Sequence, residues 1–264
     1  MIRTLITIAF ASFILAVACL AGAAALGGRD IAENGWTIPS KWVFRVQDNP
    51  GGEGGTRIRR VAASERVTVD LPWSGGESLT LDLPADVTYE QSDTSGVTIA
   101  GPRDIVDRVV VEGGRITFKG DDVGSGDVTI DLNGVRIVDA GDRLRITVRA
   151  PSVTRFTVTG SGDLDIQGYD QPVLTVQVQG SGDVTGAGRS DSLKLGIVGS
   201  GSINLGGVEA RDAEVSTSGS GDATIAARGA VKVSVAGSGG VTLRAKPASL
   251  TSEISGSGDV DQDY

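Results

Sequence analysis

The sequence contains no histidine, one cysteine and one methionine among its 264 residues, and aromatic residues make up only 4%. The absence of histidine excludes Ser-His-Asp and Cys-His catalysis and every histidine-ligated metal site. A single cysteine, Cys19, excludes an internal disulfide and a cysteine-ligated zinc site. The carboxylates therefore remain as the main candidates for chemistry.

Positively charged residues are also fewer than negatively charged ones. The chain has 24 Lys and Arg against 33 Asp and Glu, which gives a formal net charge of −9. An acidic protein repels nucleic acid and anionic membrane surfaces. The composition therefore excludes DNA or RNA as a partner.

Residues 1–25 have the pattern of a signal peptide. Arg3 precedes an apolar run from Leu5 to Leu20, and small residues follow, with possible cleavage sites ending at Ala23 or Ala25. The run is slightly shorter than the about 20 apolar residues that span a membrane. We therefore expect a cleaved signal, and an uncleaved membrane anchor is the alternative.

Cys19 lies in the segment Leu-Ala-Val-Ala-Cys, which is similar to a bacterial lipobox. Ala16 stands where that motif normally has leucine, so the segment favours an ordinary apolar residue over a lipid anchor.

Glycine, by contrast, is abundant, with 39 residues, and it recurs in the tripeptide Gly-Ser-Gly. Successive copies are 20, 19, 20, 18 and 19 residues apart, and an earlier copy begins at Gly124. The six regular copies begin at Gly160, Gly180, Gly199, Gly219, Gly237 and Gly256. A fixed period of this length is typical of solenoid proteins.

Apolar residues keep register with the tripeptide. Two residues before each copy stand Val158, Val178, Ile197, Thr217, Val235 and Ile254. Four residues before each copy stand Phe156, Val176, Leu195, Val215, Val233 and Ser252. Alternation with period two directs one face of each strand inward, and recurrence in every coil stacks those faces into a shared core. The sequence thus predicts an all-β fold, a parallel β-helix or β-solenoid with coils of about 19 residues.

The region before the repeats is less regular. We predict strands at residues 66–71, 78–83, 86–90, 97–100, 108–111 and 115–119, with a hairpin turn at Glu112-Gly113-Gly114. Residues 26–60 are predicted to be an N-terminal extension or linker, and residues 61–264 the solenoid domain. The three tryptophans, Trp36, Trp42 and Trp73, would either cap the solenoid end or form a contact patch.

An acidic residue follows most of the Gly-Ser-Gly corners, and this column is the best candidate for chemistry. It consists of Asp163, Asp183, Asp222 and Asp259, with Asp127 earlier, and Ser202 and Gly240 interrupt it. Stacked carboxylates could bind Ca²⁺, or each aspartate could cap its own turn by accepting backbone N–H groups. The interruptions favour turn capping, and we predict no metal, cofactor or catalytic residue.

Some β-helix proteins cleave polysaccharides, which requires two carboxylates in one cleft. Asp163, Asp165 and Asp183 could supply oxygen atoms, but sugar clefts usually present aromatic platforms. After Leu144 the aromatic residues are Phe156, Tyr169 and Tyr264, and Phe156 falls in an inward column. The pattern therefore favours a protein that is not an enzyme.

Residues 85–91 with 109–118, residues 145–151 and the Gly-Ser-Gly-Asp corners together resemble the GIN-domain family, whose members are named auto-transporter adhesin heads. Residues 201–204 resemble its name motif, and the resemblance covers about residues 61–260. It implies export, a β-helical head and adhesion. Residues 139–142 depart from the pattern because they lack a Gly-Ser-Gly corner, so we expect irregular first coils.

The sequence therefore predicts an exported, non-catalytic envelope module that contacts another protein, a polysaccharide or a surface. Outward residues such as Thr157, Thr175, Ser216 and Ser234 would form polar ladders on a flat face. The alternatives are a periplasmic scaffold or envelope-stress sensor component, which an uncleaved anchor would favour, and a polysaccharide-active enzyme. The periplasm, the outer membrane and the cell surface are all open as locations, and so is the oligomeric state.

Overall fold

The computed structural model describes residues 65–119 and 144–264 in full, and the backbone of four further strands between residues 41 and 138. The chain divides into two units, Met1–Trp42 with Ile130–Gly134 and Val43–Thr129 with Val135–Tyr264. The predicted signal peptide, Cys19, the Gly124 corner and the departure at residues 139–142 lie outside the described residues. Two strands lie within the predicted extension 26–60, and its boundaries remain a prediction.

The described structure is almost entirely β, 70% strand and 2% helix, and forms a solenoid of about five turns with coils of about 20 residues. Four strands belong to a small separate sheet: β1 (Lys41–Gln47), β2 (Arg57–Arg60), β9 (Asp127–Asp131) and β10 (Gly134–Val138). The strands before the regular coils are β3 (Arg66–Leu71), β4 (Ser78–Asp82), β5 (Asp86–Gln91), β6 (Gly96–Pro102), β7 (Val109–Glu112), β8 (Arg115–Phe118) and β11 (Arg145–Ala150). The regular coils contain β12 (Arg155–Gly160), β13 (Asp163–Gly180), β14 (Val184–Gly199), β15 (Ile203–Gly219), β16 (Ala223–Ala227), β17 (Ala230–Gly237), β18 (Gly240–Leu243), β19 (Ser249–Gly256) and β20 (Asp259–Gln262). One short helix, α1 (Arg103–Val106), buries Ile105 and Val106.

Each coil passes through an approach side before its Gly-Ser-Gly corner and an exit side after it, and then a third side. In β13 the approach side is residues 173–180, the exit side is residues 163–167 and the third side is residues 169–171. Each side pairs in parallel with its counterpart in β14. The approach sides stack in one register, so that Phe156, Val176, Leu195, Val215, Val233 and Ser252 are aligned. The predicted inward columns are therefore confirmed.

The differences in coil length are absorbed between the exit side and the third side. The register shifts there between Ile166 and Tyr169, between Thr185 and Ala187, and between Leu205 and Glu209. The Gly-Ser-Gly corners themselves stay aligned, from Gly160 opposite Gly180 onward. Extra residues thus enter as β-bulges at one corner and leave the other corner unchanged.

The first coils are built from strands that are not consecutive in sequence. On the approach side β12 pairs in parallel with β4, which pairs with β8. On the exit side β5 lies between β13 and β11, and β6 and β3 then continue the sheet antiparallel. The predicted hairpin is confirmed, because β7 and β8 pair antiparallel around Gly113 and Gly114, both with positive φ.

The core is a continuous stack of aliphatic side chains, with four buried aromatic residues, Tyr89, Phe118, Phe156 and Tyr169, in its N-terminal part. Tyr89 and Phe156 meet edge to face with ring centroids 4.9 Å apart, and Tyr169 lies beyond Phe156. The Tyr89 hydroxyl donates to the Ala150 carbonyl at 2.8 Å, and burial raises the pKa of both tyrosines. Trp73 is half-buried and packs against this core, which favours the cap over the contact patch for that residue. Trp36 and Trp42 lie outside the residues with described side chains.

The Gly-Ser-Gly corner brings successive backbones into direct contact. Gly219 has φ +124°, and a Cβ there would lie 2.3 Å from the Gly199 carbonyl oxygen. That same oxygen accepts the N–H of Ser220 at 2.9 Å. Equivalent bonds link Ser181 and Ser200 to the coil before them, so the close approach is also the hydrogen bond that joins the coils.

The last coil is the exception to the buried columns. Leu250 and Val260 are only partly buried, Ile254 is 43% exposed, and Ser252 is exposed. No further described coil covers β19 and β20, which explains why the inward pattern gives exposed side chains there.

We predict that Val176→Asp unfolds the domain, because it places an unpaired charge between Phe156 and Leu195, at a cost of about 3–5 kcal/mol. Thr175→Asp is the matched control, since its side chain is only half-buried on the outer face. Thermal unfolding followed by circular dichroism compares the two variants. Equal melting temperatures would show that the inward and outward faces are misassigned.

Gly219→Ala should lower the free energy of unfolding by about 2 kcal/mol or more, because its φ is strained for an L-residue and its Cβ meets a backbone oxygen. Gly196→Ala is the control, since a Cβ there would approach only the Gln177 side chain, at 3.4 Å or more. Urea denaturation of both variants measures the difference. A Gly219 variant as stable as the Gly196 variant would contradict this account of the corner.

Candidate functional site

The exit side presents an acidic outer face. Asp86, Asp163, Asp165, Asp183, Asp222, Asp259, Asp261 and Asp263 lie on it, against Arg145, Arg149 and Arg244. The arginines are partly engaged, since Arg149 pairs with Glu90 and Arg244 with Asp263. Most of the acidic side chains extend along the coils as a broad exposed surface.

The aspartate column forms hydrogen bonds between coils. Asp163 accepts the backbone N–H of Asp183 at 3.0 Å, and Asp183 accepts the N–H and hydroxyl of Ser202 at 2.9 and 2.7 Å. Asp222 accepts the N–H of Gly240 at 2.7 Å. The aspartates do accept backbone N–H groups, as predicted. The predicted donor is wrong, because each N–H belongs to the following coil and not to the aspartate's own turn. Asp127 lies outside the residues with described side chains.

The carboxylates considered for glycoside cleavage also accept hydrogen bonds from neighbouring surface side chains. Asp165 accepts the Thr185 hydroxyl at 3.0 Å and the Gln167 amide at 2.5 Å. Phe156 and Tyr169 are buried in the core, so neither offers a sugar platform to these carboxylates. Among the described residues, no group of three or more Asp, Glu, His or Cys could hold a metal ion.

The third side carries charges of both signs, including Arg189, Asp191 and Glu209. Asp212, where the chain returns to the approach side, accepts the N–H of Ala230 at 2.9 Å and pairs with Arg211. The Ala230 N–H, aided by Arg211, lowers the pKa of Asp212. A lowered pKa stabilises the fold above the ordinary carboxyl pKa, and this contribution is lost as the pH falls through the lowered value.

The approach side has one charged outer column, with Arg155, Lys194, Glu214 and Lys232, and Glu253 lies on its last coil. Between that column and the exit side lies a surface without charge, here named the neutral strip. It comprises three outward positions in each of five coils, fifteen residues, whereas the chain average of 22% charged residues would place about three charges there. The members are Thr157, Thr159, Ser161, Gln177, Gln179, Ser181, Gly196, Val198, Ser200, Ser216, Ser218, Ser220, Ser234, Ala236 and Ser238. None of them is buried, and neighbouring coils hold them in register.

The centre of the neutral strip has an apolar projection beside a gap. Val198 is 59% exposed, more than any other described large hydrophobic residue, and Gly196 two residues earlier has no side chain. Sequence reasoning placed Thr157, Ser216 and Ser234 on this face but missed Val198 and the corner serines. The missing charge at the same three positions of five successive coils is the signal that would have found the whole strip.

No helix among the described residues is long and apolar enough to cross a membrane.

In-register coils closed by tight glycine corners define the class of protein as a parallel β-solenoid. A putative adhesin from Bacteroides fragilis shares the fold, with a TM-score of 0.56 and 22% identity over 75% of this chain and 97% of that one. The chain belongs to the family described as "Putative auto-transporter adhesin, head GIN domain", whose model matches residues 77–262. The predicted family and fold are thereby confirmed, and the protein is an adhesin-like module.

Two further solved structures are more distant. A putative lipid binding protein from Parabacteroides distasonis has 21% identity and a TM-score of 0.41, over 75% of this chain and 96% of that one. A putative adhesin from the same species has 18% identity and a TM-score of 0.47, over 75% and 97% of the two chains. No curated protein matches the sequence.

Asp183→Ala should lower the free energy of unfolding by about 1 kcal/mol, because Ser202 loses two hydrogen bonds to that carboxylate. Calcium should not change the melting temperature of either the wild type or the variant. Differential scanning calorimetry with calcium or chelator tests both points. A large calcium-dependent rise in the wild type that is absent in Asp183→Asn would instead establish the aspartate column as a calcium site.

Proposed function

We propose that the protein is an exported, non-catalytic interaction module of the cell envelope, an adhesin-type head that makes contact through its neutral strip. The observation that carries this proposal is the absence of charge at the same three outward positions of five successive coils, in a chain with a net charge of −9. The expected partner is a protein, a polysaccharide or another surface of the envelope or its surroundings.

The distribution of charge supports this surface over the other two. A charged side chain must lose water when a partner covers it, and charged residues are accordingly depleted at the centres of interfaces. The neutral strip presents hydroxyl, amide and methyl groups, which are covered at lower cost. The acidic face would instead repel anionic partners and keep the molecules apart in solution.

The shape of the neutral strip suits a flat, repeating partner. Equivalent side chains in successive coils are about 4.8 Å apart, and successive outward side chains along one strand are about 7 Å apart. The neutral strip therefore covers about 20 by 13 Å. Threonine and serine are short, and parallel pairing fixes their positions, so little conformational freedom is lost on contact. A surface of this size binds weakly as a single copy, and many copies on a cell would raise the avidity.

The same features support a non-catalytic role. The aspartates of the exit side lie on an exposed face, where Asp163, Asp183 and Asp222 accept hydrogen bonds from the following coil. Phe156 and Tyr169 are in the core. A glycosidase would need paired carboxylates in a cleft that holds the sugar ring. The described coils therefore offer a scaffold and a surface to a partner.

Val198→Glu should reduce attachment of protein-coated beads to bacterial cells and polysaccharide films by about tenfold, since it places a charge at the centre of the neutral strip. Thr224→Glu adds the same charge to the acidic face and should attach like the wild type. Attachment of the Val198 variant at the wild-type level would exclude the neutral strip as the contact surface.

Protease treatment of intact cells, followed by immunodetection of this protein, tests the location that an adhesin requires. We expect the protein to be degraded while periplasmic control proteins survive. Full protection until the outer envelope is opened would refute the adhesin proposal and support a periplasmic scaffold or envelope-stress sensor component.

A further inference from the structure

A groove of about 410 Å³ lies on the outer face of the exit side, in the irregular first coils. The end of β3, the start of β6 and the end of β11 form it, and these three strands are neighbours in the sheet. Its volume falls within the range of about 300–1,000 Å³ that is usual for small-ligand pockets. We name it the Gly96 groove after the residue in its floor.

Gly96 has no structural reason to be glycine. It is not among the glycines with positive φ, and a Cβ there would contact only the Leu71 carbonyl oxygen, at 3.7 Å. The corner glycine Gly219 differs, because its Cβ would lie 2.3 Å from a backbone oxygen. Gly96 is the first residue of β6, and its missing side chain leaves room above the strand backbone on the outer face.

The missing side chain at Gly96 opens space between charged and apolar groups. Arg149 is directly opposite Gly96 on β11, and Asp70 is opposite Thr98 on β3. Pro72 is exposed and forms an apolar part of the wall, whereas the Leu71 side chain packs against the core. The groove therefore combines a cation, an anion and an apolar wall around an exposed stretch of backbone.

The polar groups of the groove are held in place by their neighbours. Glu90 accepts a hydrogen bond from Arg149 Nε at 2.7 Å, and Asp70 Oδ1 accepts the Thr98 hydroxyl at 2.7 Å. At the rim, the Thr94 and Ser92 hydroxyls are 3.0 Å apart. Groups fixed in this way lose little conformational freedom when a ligand binds.

We propose that the Gly96 groove binds a neutral saccharide residue. A sugar ring has hydroxyl groups that donate to a carboxylate such as Asp70 and accept from a guanidinium such as Arg149, and its C–H groups can pack on Pro72. An anionic ligand would be repelled by Asp70 and Glu90, which outnumber Arg149, and an apolar ligand would desolvate these charges. The proposal concerns a surface distinct from the neutral strip and does not rest on its role.

Saturation-transfer difference NMR of the purified full chain with glucose, galactose, mannose, N-acetylglucosamine and galacturonate tests the proposal. We expect at least one neutral sugar to bind saturably. Gly96→Leu, which fills the groove, should weaken binding by about tenfold or more, with an unchanged melting temperature. Asp70→Ala should weaken binding similarly, with a slightly lower melting temperature because Thr98 loses its hydrogen bond to that carboxylate.

Gly196→Leu places the same side chain on the neutral strip and tests whether the sugar binds there. Thr224→Leu is the matched control, because it adds leucine to the outer face of the exit side away from the groove. This variant should bind sugar like the wild type. Absence of saturable binding of every neutral sugar, binding of galacturonate alone, or wild-type binding by Gly96→Leu would overturn the proposal. Loss of binding in Gly196→Leu but not in Gly96→Leu would place the sugar on the neutral strip and also overturn it.

Discussion

The structure depends on the contact between successive Gly-Ser-Gly corners. The carbonyl oxygen of the first glycine accepts the serine N–H of the next coil, as between Gly180 and Ser200 at 2.9 Å. This bond brings the backbones so close that a Cβ on Gly199 would lie 2.3 Å from the same oxygen. Because the corner fixes the stacking distance, period-two alternation is enough to align the apolar columns.

Corner alignment also determines how the surface is divided. Because equivalent positions coincide in every coil, a composition preference at one position becomes a stripe along the solenoid. Aspartate after the corner produces the acidic face, and its carboxylates bond to the following coil, as Asp183 does to Ser202. Uncharged residues before the corner and the corner serines produce the neutral strip. A contact surface and a solubilising surface thus arise from the same repeat.

Much of this architecture could be predicted from the sequence because the relevant signals are local. The spacing of Gly-Ser-Gly and the alternation around Val176 and Val233 identify the coils and the inward faces. The turn residues Glu112-Gly113-Gly114 identify the hairpin. The exposed Ile254 departs from the pattern only because no described coil follows it. The family and fold predictions rest on these repeated residues, and the comparisons confirm both.

The remaining features depend on residues that are far apart in the chain. The partner of Asp183 is 19 residues away, so a turn-based argument assigns its hydrogen bond to the wrong coil. The position of β5 between β11 and β13 follows from no repeat, because these strands belong to the irregular region. The Gly96 groove joins residues from three such strands, and Arg149 is 53 positions after Gly96. No local sequence motif therefore predicts the groove.

The central claim is that the Gly-Ser-Gly corner fixes the coil register while the bulged corner tolerates changes in length. One glycine inserted between Gly206 and Gly207, where β15 already has extra residues relative to β16, can be compared with one inserted after Ser220. Urea unfolding monitored by circular dichroism gives the stability and cooperativity of each variant. The account predicts a cooperative transition close to wild type for the first insertion, and a large loss of stability for the second. Equal tolerance of both insertions would contradict it.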